Sequence, residues 1–318
     1  MIGYLVRHAA WSALVIWFVV SMTFVMATFI PADPASTFVG PHASEETLAR
    51  VREIYCLDAG VIEQYGCFVG RLMRGDMGES FRTGRPVAAI IGERIWPTAQ
   101  LALAAMFLQL AMAIPLGIMA ATRRNKLADI LASGVAYIGQ SAPTFVVGLL
   151  LVYFCSFRLD WFPISGYGEG LASRLHHLFL PALTLAVLGA AYYTRLLRSE
   201  MIESLAADYI RTARAKGLPE HLIVVKHALR NSLSPVVTVI GIDLGLLMGG
   251  AVVTEAIFAW PGIGREVLNA VLDLDIPLIL GVVTVTSVVI VTANLLADLV
   301  LAWLDPRIRL ASTTRHSS

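Results

Sequence analysis

Charged residues are scarce in this chain, and their scarcity excludes whole classes of protein. Of its 318 residues, 15% are charged and 57% are hydrophobic, and the mean hydropathy of +0.72 lies well outside the soluble range. The formal net charge of +1 provides no bulk electrostatic attraction to nucleic acid. The composition therefore predicts one polytopic membrane domain over residues 1–318 in place of two soluble domains.

Common catalytic and metal-binding motifs are missing as well. The sequence contains no Gly-x-x-x-x-Gly-Lys-Ser/Thr stretch to cradle nucleotide phosphates, and no His-Glu-x-x-His or Cys-x-x-Cys pattern to hold a metal. His176 and His177 are adjacent in sequence, and this spacing favours a solvated interfacial role over metal ligation. We expect no catalytic residue, no metal and no cofactor on this chain.

Cysteine is rare, with three residues in the whole chain. Cys56 and Cys67 both fall in the long segment 31–96, and a disulfide between them is feasible in an oxidising compartment. Two unpaired thiols remain the alternative, because the sequence does not give the distance between them.

Long apolar runs are what the sequence has in abundance. Crossing a hydrocarbon core of roughly 30 Å takes about 20 residues, and six runs are long enough. The predicted spans are Ala9–Ile30, Pro97–Thr122, Ala128–Phe157, Leu178–Leu197, Ser232–Phe258 and Pro277–Leu304. The fold class is therefore all-α, a polytopic membrane protein of six transmembrane helices.

Lysine and arginine are distributed unequally between the loops. One side carries Arg7, the cluster 123–126, the basic residues of 195–230, and Arg307 with Arg309. The short loops on the other side carry few, so the positive-inside rule predicts a multi-pass inner-membrane protein with both termini in the cytoplasm.

The extracytoplasmic segment 31–96 has helical signals of its own. Ser44 followed by two glutamates predicts a helix start, a second short helix is predicted over Ile62–Leu72, and Gly75–Gly78 predicts a turn. Arg85-Pro86-Val87 predicts a third helix lying on the membrane surface and leading to the second span. The segment either lines an opening on the outer face or caps the bundle.

A cytoplasmic loop over residues 199–230 separates the fourth and fifth spans. Its Ala-rich run after Asp208 favours a helix, Gly217 can end it in the left-handed conformation, and Pro219 is acceptable at the start of a second helix. The predicted element is a short, basic helical hairpin. An element of this kind suits presentation to a soluble partner, and a hairpin that only caps its own bundle is the alternative.

Ionisable residues inside the spans need a reason, because an Asp at mid-helix costs about 2.5–3.5 kcal/mol on insertion scales. Asp243 lies in the fifth predicted span, where it projects to a different side from the packing face formed by Gly241, Gly245 and Gly249. A place on a solute pathway and a structural hydrogen bond both fit it. Glu255 is a second candidate for the solute pathway, but it is predicted near the outer end of the same span, where exposure to water favours an ordinary solvated position.

The hairpin and several further segments resemble the ATP-binding-cassette importer permeases of the dipeptide/oligopeptide/nickel type. The matching segments are Asp208–Leu218, His227–Thr238, Ile30–Pro34, Gly75–Gly78, Thr254–Gly264 and Asp305–Arg309. One departure is that Arg211-Thr212-Ala213 stands where the wider importer motif has Glu-Ala-Ala. The peptide-transporting branch of this family shares the variation, so the departure favours that branch.

The resemblance implies a transporter complex of several chains. We expect a heterodimer with a second homologous permease, two cytoplasmic ATPase subunits that hold ATP and Mg²⁺, and an extracytoplasmic solute-binding protein. It also implies that a coupling helix contacts one ATPase. The coupling residues are Tyr209, Ile210, Arg211, Thr212, Ala213, Arg214, Ala215, Lys216, Gly217 and Leu218. We expect Ala213, Gly217 and Leu218 to form a small apolar docking face.

The expected function is that of a permease subunit, not an enzyme, which forms part of the pathway for short peptides. Uptake of nickel or a metal chelate, glutathione or an opine by the same machinery is an alternative. A self-sufficient secondary transporter is another, but it predicts inverted repeats and broken helices. The sequence displays neither and would leave the hairpin unexplained.

Overall fold

The structure is a computed structural model, and it describes residues 2–28, 52–53, 56, 58–249 and 251–304. The helices are α1 (Ile2–Thr28), α2 (Val61–Met73), α3 (Val87–Thr122), α4 (Leu127–Ser141), α5 (Thr144–Arg158), α6 (Gly170–Ala206), α7 (Asp208–Ala215), α8 (Glu220–Met248), α9 (Val252–Ile257), α10 (Ile263–Leu272) and α11 (Ile276–Leu304). The all-α class expected from the sequence is confirmed. The helix expected after Ser44 lies outside the described residues.

Among the described residues, four helices are long and apolar enough to cross a membrane, namely α3, α6, α8 and α11, the last over Ile276–Leu296. In α1 the apolar stretch is Ala10–Met26. The surface helix predicted from Val87 is wrong as a separate element, because α3 runs from Val87 to Thr122 without a break. The fifth predicted span, Ser232–Phe258, is too long, because α8 ends at Met248 and a separate helix begins at Val252.

The third predicted span is broken. Helices α4 and α5 meet at Ala142-Pro143 with a bend of 103°, and the second half winds as a π-helix over Val152–Arg158. Proline ends α4 because the residue before it is driven out of the helical conformation; Ala142 has ψ 127°. The expectation that the chain contains no broken helix was therefore wrong, and that part of the case against a secondary transporter does not stand.

Packing divides the described chain into two compact units. The first contains the described residues of 1–98, 248–252 and 261–291. Within it α2, as predicted for Ile62–Leu72, packs on α1: the Phe24 ring stacks on Phe68, and the Ser21 and Tyr65 hydroxyls are hydrogen-bonded at 2.5 Å. A disulfide joins Cys56 to Cys67, with 6.6 Å between the Cα atoms.

A buried carboxylate organises the rest of this unit. Asp275 is 1% exposed and accepts hydrogen bonds from the Ser80 hydroxyl at 2.5 Å, the Phe81 amide at 3.0 Å and the Leu278 amide at 3.3 Å. The last of these caps the first turn of α11. One side chain therefore fixes the turn after Gly78 to the start of α11.

The second unit contains the described residues of 99–247, 253–260 and 292–304. Its α4 and α6 are held together by Arg198, which donates two hydrogen bonds to the buried carboxylate of Asp129 at 2.6 and 2.8 Å. Near the opposite end of α6, the Tyr167 hydroxyl donates a hydrogen bond to Oε1 of Gln100 at 2.8 Å. The ring of Tyr167 packs edge to face against the buried ring of Trp260.

Candidate functional site

The predicted hairpin is formed by α7, a tight turn and the first residues of α8. Helix α7 ends at Ala215, and Gly217 adopts φ +75° while its amide donates to the Arg214 carbonyl at 2.9 Å. The Leu218 amide donates to the Ala213 carbonyl at 3.3 Å, and this hydrogen bond closes the turn. The left-handed conformation that the sequence predicted for Gly217 is present. Helix α8, which follows the turn, is itself one of the membrane-length helices.

One face of α7 is buried in the chain itself. Ile210 is fully buried and Ala213 is 7% exposed, and both pack in the apolar cluster that includes Leu197, Met201 and Ile223. The Ser204 hydroxyl donates to the Ala228 carbonyl at 3.2 Å and is also hydrogen-bonded to Tyr209. The hairpin is thus fastened to both α6 and α8.

This burial corrects the predicted docking face. Ala213 was expected to present an apolar surface with Gly217 and Leu218, but its position three residues after Ile210 turns it inward. Ile210 and Ala213 are therefore not free to touch a partner directly. The exposed residues of the predicted set are Tyr209, Arg211, Thr212, Arg214, Ala215, Lys216, Gly217 and Leu218. We call these eight residues the outward face.

The outward face is basic, and ion pairs fix part of it. Arg214 donates to Glu220 at 2.6 and 3.2 Å across the turn, and this contact raises the pKa of Arg214. Arg211 pairs with Asp208 one turn earlier. Among the described residues Lys216 has no ion pair, so the tip of the hairpin offers one uncompensated positive charge.

An open cavity of about 980 Å³ lies beside the hairpin. Side chains of both charges line it, including Glu200 and Glu203 from α6 and Lys226 and Arg230 from α8, together with His227. Tyr209, on the outward face, also contributes to its wall. Charged residues thus surround the base of the hairpin as well as its tip.

Inside the membrane-length helices, Asp243 is the centre of a polar cluster. The Gln109 amide donates to its Oδ2 at 2.7 Å, and the Tyr193 hydroxyl donates to the same oxygen at 3.2 Å. Gln109 and Tyr193 are 2% and 1% exposed, whereas Asp243 is half-buried. Hydrogen bonds to a charged group contribute about 1.5–3 kcal/mol each, enough to offset much of the cost of the carboxylate.

Small residues make room for this cluster. Gly189 lies against the Gln109 side chain so closely that an added Cβ would come within 1.7 Å of its Oε1. On α8, Gly241 and Gly245 are buried on a different side from Asp243, and Gly249, just after the helix ends, is half-buried. The structure therefore contains the hydrogen-bonded Asp243 that the sequence left as one of two possibilities.

Glu255 differs from its expected surroundings. It was predicted to be wet at the outer end of the fifth span, but it is fully buried and lies on α9. Glu255 does not belong to the fifth span as predicted, because α8 ends at Met248 and the separate helix α9 begins at Val252. Its backbone carbonyl accepts from the Trp260 amide at 2.9 Å, which folds the segment back on itself.

Sequence reasoning missed Gln109 and Tyr193 as partners of Asp243. Gln109 lies in the middle of the second predicted span, and a lone amide among apolar residues is a signal that could have found it. Tyr193 carries no comparable signal, because tyrosine is common near membrane interfaces. Among the described residues, no group of three or more potential metal ligands is present.

Comparison with known proteins gives a consistent result. Residues 113–310 match the family described as the binding-protein-dependent transport system inner membrane component, and residues 1–102 match its N-terminal counterpart. The chain is 39% identical to the probable D,D-dipeptide transport system permease protein DdpB of Escherichia coli, over 96% of this chain and 97% of that protein. It is 36% identical to the oligopeptide transport system permease protein AppB of Bacillus subtilis, over 97% of this chain and 99% of that protein.

A solved structure is similar as well. The inward-facing MetNI methionine ABC transporter has a chain that superposes with a TM-score of 0.57 at 18% identity, covering 68% of this chain and 96% of that chain. At this identity the likeness concerns the fold. The helical fold of this chain is thus one that a chain of an ABC transporter adopts.

Proposed function

Because this chain belongs to the family of binding-protein-dependent transport system inner membrane components, we propose that it forms half of the membrane pathway of an ATP-driven importer of short peptides. It is a multi-pass inner-membrane protein and a transport subunit, not itself a catalyst. The observation that carries the peptide assignment is the pair of full-length relatives named for dipeptide and oligopeptide transport. Nickel, glutathione and opine uptake have no comparable support.

The family implies ATPase and binding-protein partners. We propose the finer assembly of one second, homologous permease, two ATPases holding ATP and Mg²⁺, and one solute-binding protein on the outer side. Both termini and the hairpin lie in the cytoplasm in this proposal. The distribution of lysine and arginine supports that orientation, since the hairpin side carries most of them.

The outward face of the hairpin is the proposed contact with the ATPase. Its exposed, basic tip suits a groove of a soluble partner, and its buried face ties α7 to α6 and α8. Movement of the partner can therefore reach both helices without the hairpin bending. Asp243 and Glu255 keep their proposed place along the pathway, Asp243 with more support, because it is half-buried while Glu255 is enclosed.

Reconstitution tests the proposal. The four kinds of subunit are co-expressed, purified together and placed in proteoliposomes, and ATP-dependent uptake of radiolabelled Ala-Ala is measured. We expect uptake only when the ATPases and binding protein are present. Uptake by this chain alone, or a complete complex that binds and hydrolyses ATP but never imports a dipeptide, would contradict the proposal.

A charge reversal tests the contact itself. Lys216→Glu places a negative charge at the unpaired tip and is expected to release the ATPases during purification. The matched control Lys126→Glu changes a lysine in the loop before α4, outside the hairpin. Equal ATPase retention in both variants would exclude the tip from the interface.

A further inference from the structure

The two carboxylate oxygens of Asp243 have different surroundings. Oδ2 accepts both hydrogen bonds, from Gln109 at 2.7 Å and from Tyr193 at 3.2 Å. Within the described part of the chain no donor reaches Oδ1, and no Lys or Arg pairs with the carboxylate. Neutral donors thus fix the orientation of the group and leave its charge uncompensated.

Asp243 lies between the packed and the exposed sides of α8. It is half-buried, Val239 one turn earlier packs against the apolar cluster that includes Leu197 and Met201, and Leu246 one turn later is 63% exposed. Gly241 and Gly245 are buried on another side, where α8 packs closely. The carboxylate is therefore not fully enclosed by the chain.

The place of the cluster within the helices is also informative. Gln109, Tyr193 and Asp243 lie on α3, α6 and α8, which are all long and apolar enough to cross a membrane. An uncompensated carboxylate in such a segment is costly and has a cationic partner as its usual reason.

We propose that Oδ1 of Asp243 binds the α-ammonium group of the transported peptide during its passage, with Gln109 and Tyr193 as positioning residues. This inference rests on the proposed function, which supplies the peptide. A free peptide carries an ammonium group at one end whatever its side chains, so one fixed carboxylate can serve peptides of varied sequence. Open apolar neighbours such as Leu246 suit the side chains that differ.

The test uses the whole importer in proteoliposomes and the variant Asp243→Asn. The asparagine carbonyl can still accept from Gln109 and Tyr193, so the cluster is retained while the charge is lost. We expect the kcat/KM of Ala-Ala uptake to fall roughly tenfold or more, as for loss of a charge-assisted hydrogen bond. Asp160→Asn is the control, since Asp160 is exposed in a loop at φ +51°, which asparagine tolerates.

A photo-reactive probe separates substrate contact from structural support. Photoleucyl-alanine carries its diazirine on the residue that bears the ammonium, and we expect it to label segments around Gln109, Tyr193 or Asp243 in the wild type. Labelling should fall in Asp243→Asn in parallel with uptake. Wild-type uptake in Asp243→Asn, labelling at other helices, or equal labelling in both proteins would each overturn the inference. A wild-type complex that imports no dipeptide would instead refute the proposed function beneath it.

Discussion

Arg198 donates to both oxygens of Asp129, and this contact joins α6 to α4 at the hairpin end of the second unit. The Asp129 side chain is 5% exposed and also accepts from the Asn125 amide at 2.9 Å. The pair therefore fixes the turn between α3 and α4 as well as the helix contact.

Removing the arginine should be costly. Arg198→Gln leaves a buried carboxylate without its cation, for which we expect a loss of about 3 kcal/mol in stability and a clearly lower Tm of the purified complex. Arg82→Gln is the control, because its pair with Asp273 is exposed, lies outside the hairpin and is of a kind that contributes about 0–1 kcal/mol. Similar Tm values for the two variants would show that the Asp129 pair does not stabilise the bundle.

Gly217 makes a separable prediction about the hairpin. A Cβ at this position would meet nothing within 4 Å, so only the φ of +75° resists substitution. Gly217→Val should cost about 1–2 kcal/mol in the turn and reduce binding-protein-stimulated ATP hydrolysis. Gly217→Asn tolerates the same φ and should retain most of that hydrolysis. Equal activity of valine and asparagine variants would mean that the left-handed turn is not needed for coupling.

The contact between Gly189 and Gln109 predicts a partial rescue. Gly189→Ala forces its Cβ against the Gln109 amide and should lower stability by about 1–3 kcal/mol while displacing the amide from Asp243. Adding Gln109→Ala removes the clash and should restore the Tm. Uptake should stay low in the double variant, because Asp243 has still lost a donor. A double variant no more stable than Gly189→Ala would show that the clash lies elsewhere.

Two nearby aspartates provide a matched pair in the first unit. Asp275→Ala removes the helix cap and leaves the Ser80 hydroxyl and the Phe81 amide without their acceptor. We therefore expect the free energy of unfolding to fall by about 2 kcal/mol or more. Asp273→Ala removes an exposed pair with Arg82 and should cost less than about 1 kcal/mol. Thermal unfolding of the purified complex compares them, and a larger effect at Asp273 would contradict this account.

The features that the sequence predicted correctly depend on residues close together in the chain. Gly217, α2 and the turn at Gly75–Gly78 follow from backbone preferences of neighbouring residues, so a short window of sequence contains the necessary information. Apolar length likewise predicts α3, α6 and α11, because the membrane sets the required number of residues.

What the sequence could not predict depends on residues far apart in the chain. Gln109 and Tyr193 meet Asp243 across 134 and 50 positions, and no periodicity encodes such a meeting. The burial of Ala213 depends on how α7 packs against α6 and α8. The break before Pro143 was hidden because the apolar run continues through it, and hydropathy does not register direction.

That break also limits how far each half of the bent pair reaches. The first half has 15 residues, which as a helix extends roughly 22 Å and falls short of the hydrocarbon thickness. Within the described part of the chain, Asp129 at its start pairs with Arg198 of α6. The first half is therefore too short to span the membrane by itself, and the ion pair with Arg198 attaches it to a helix that is long enough.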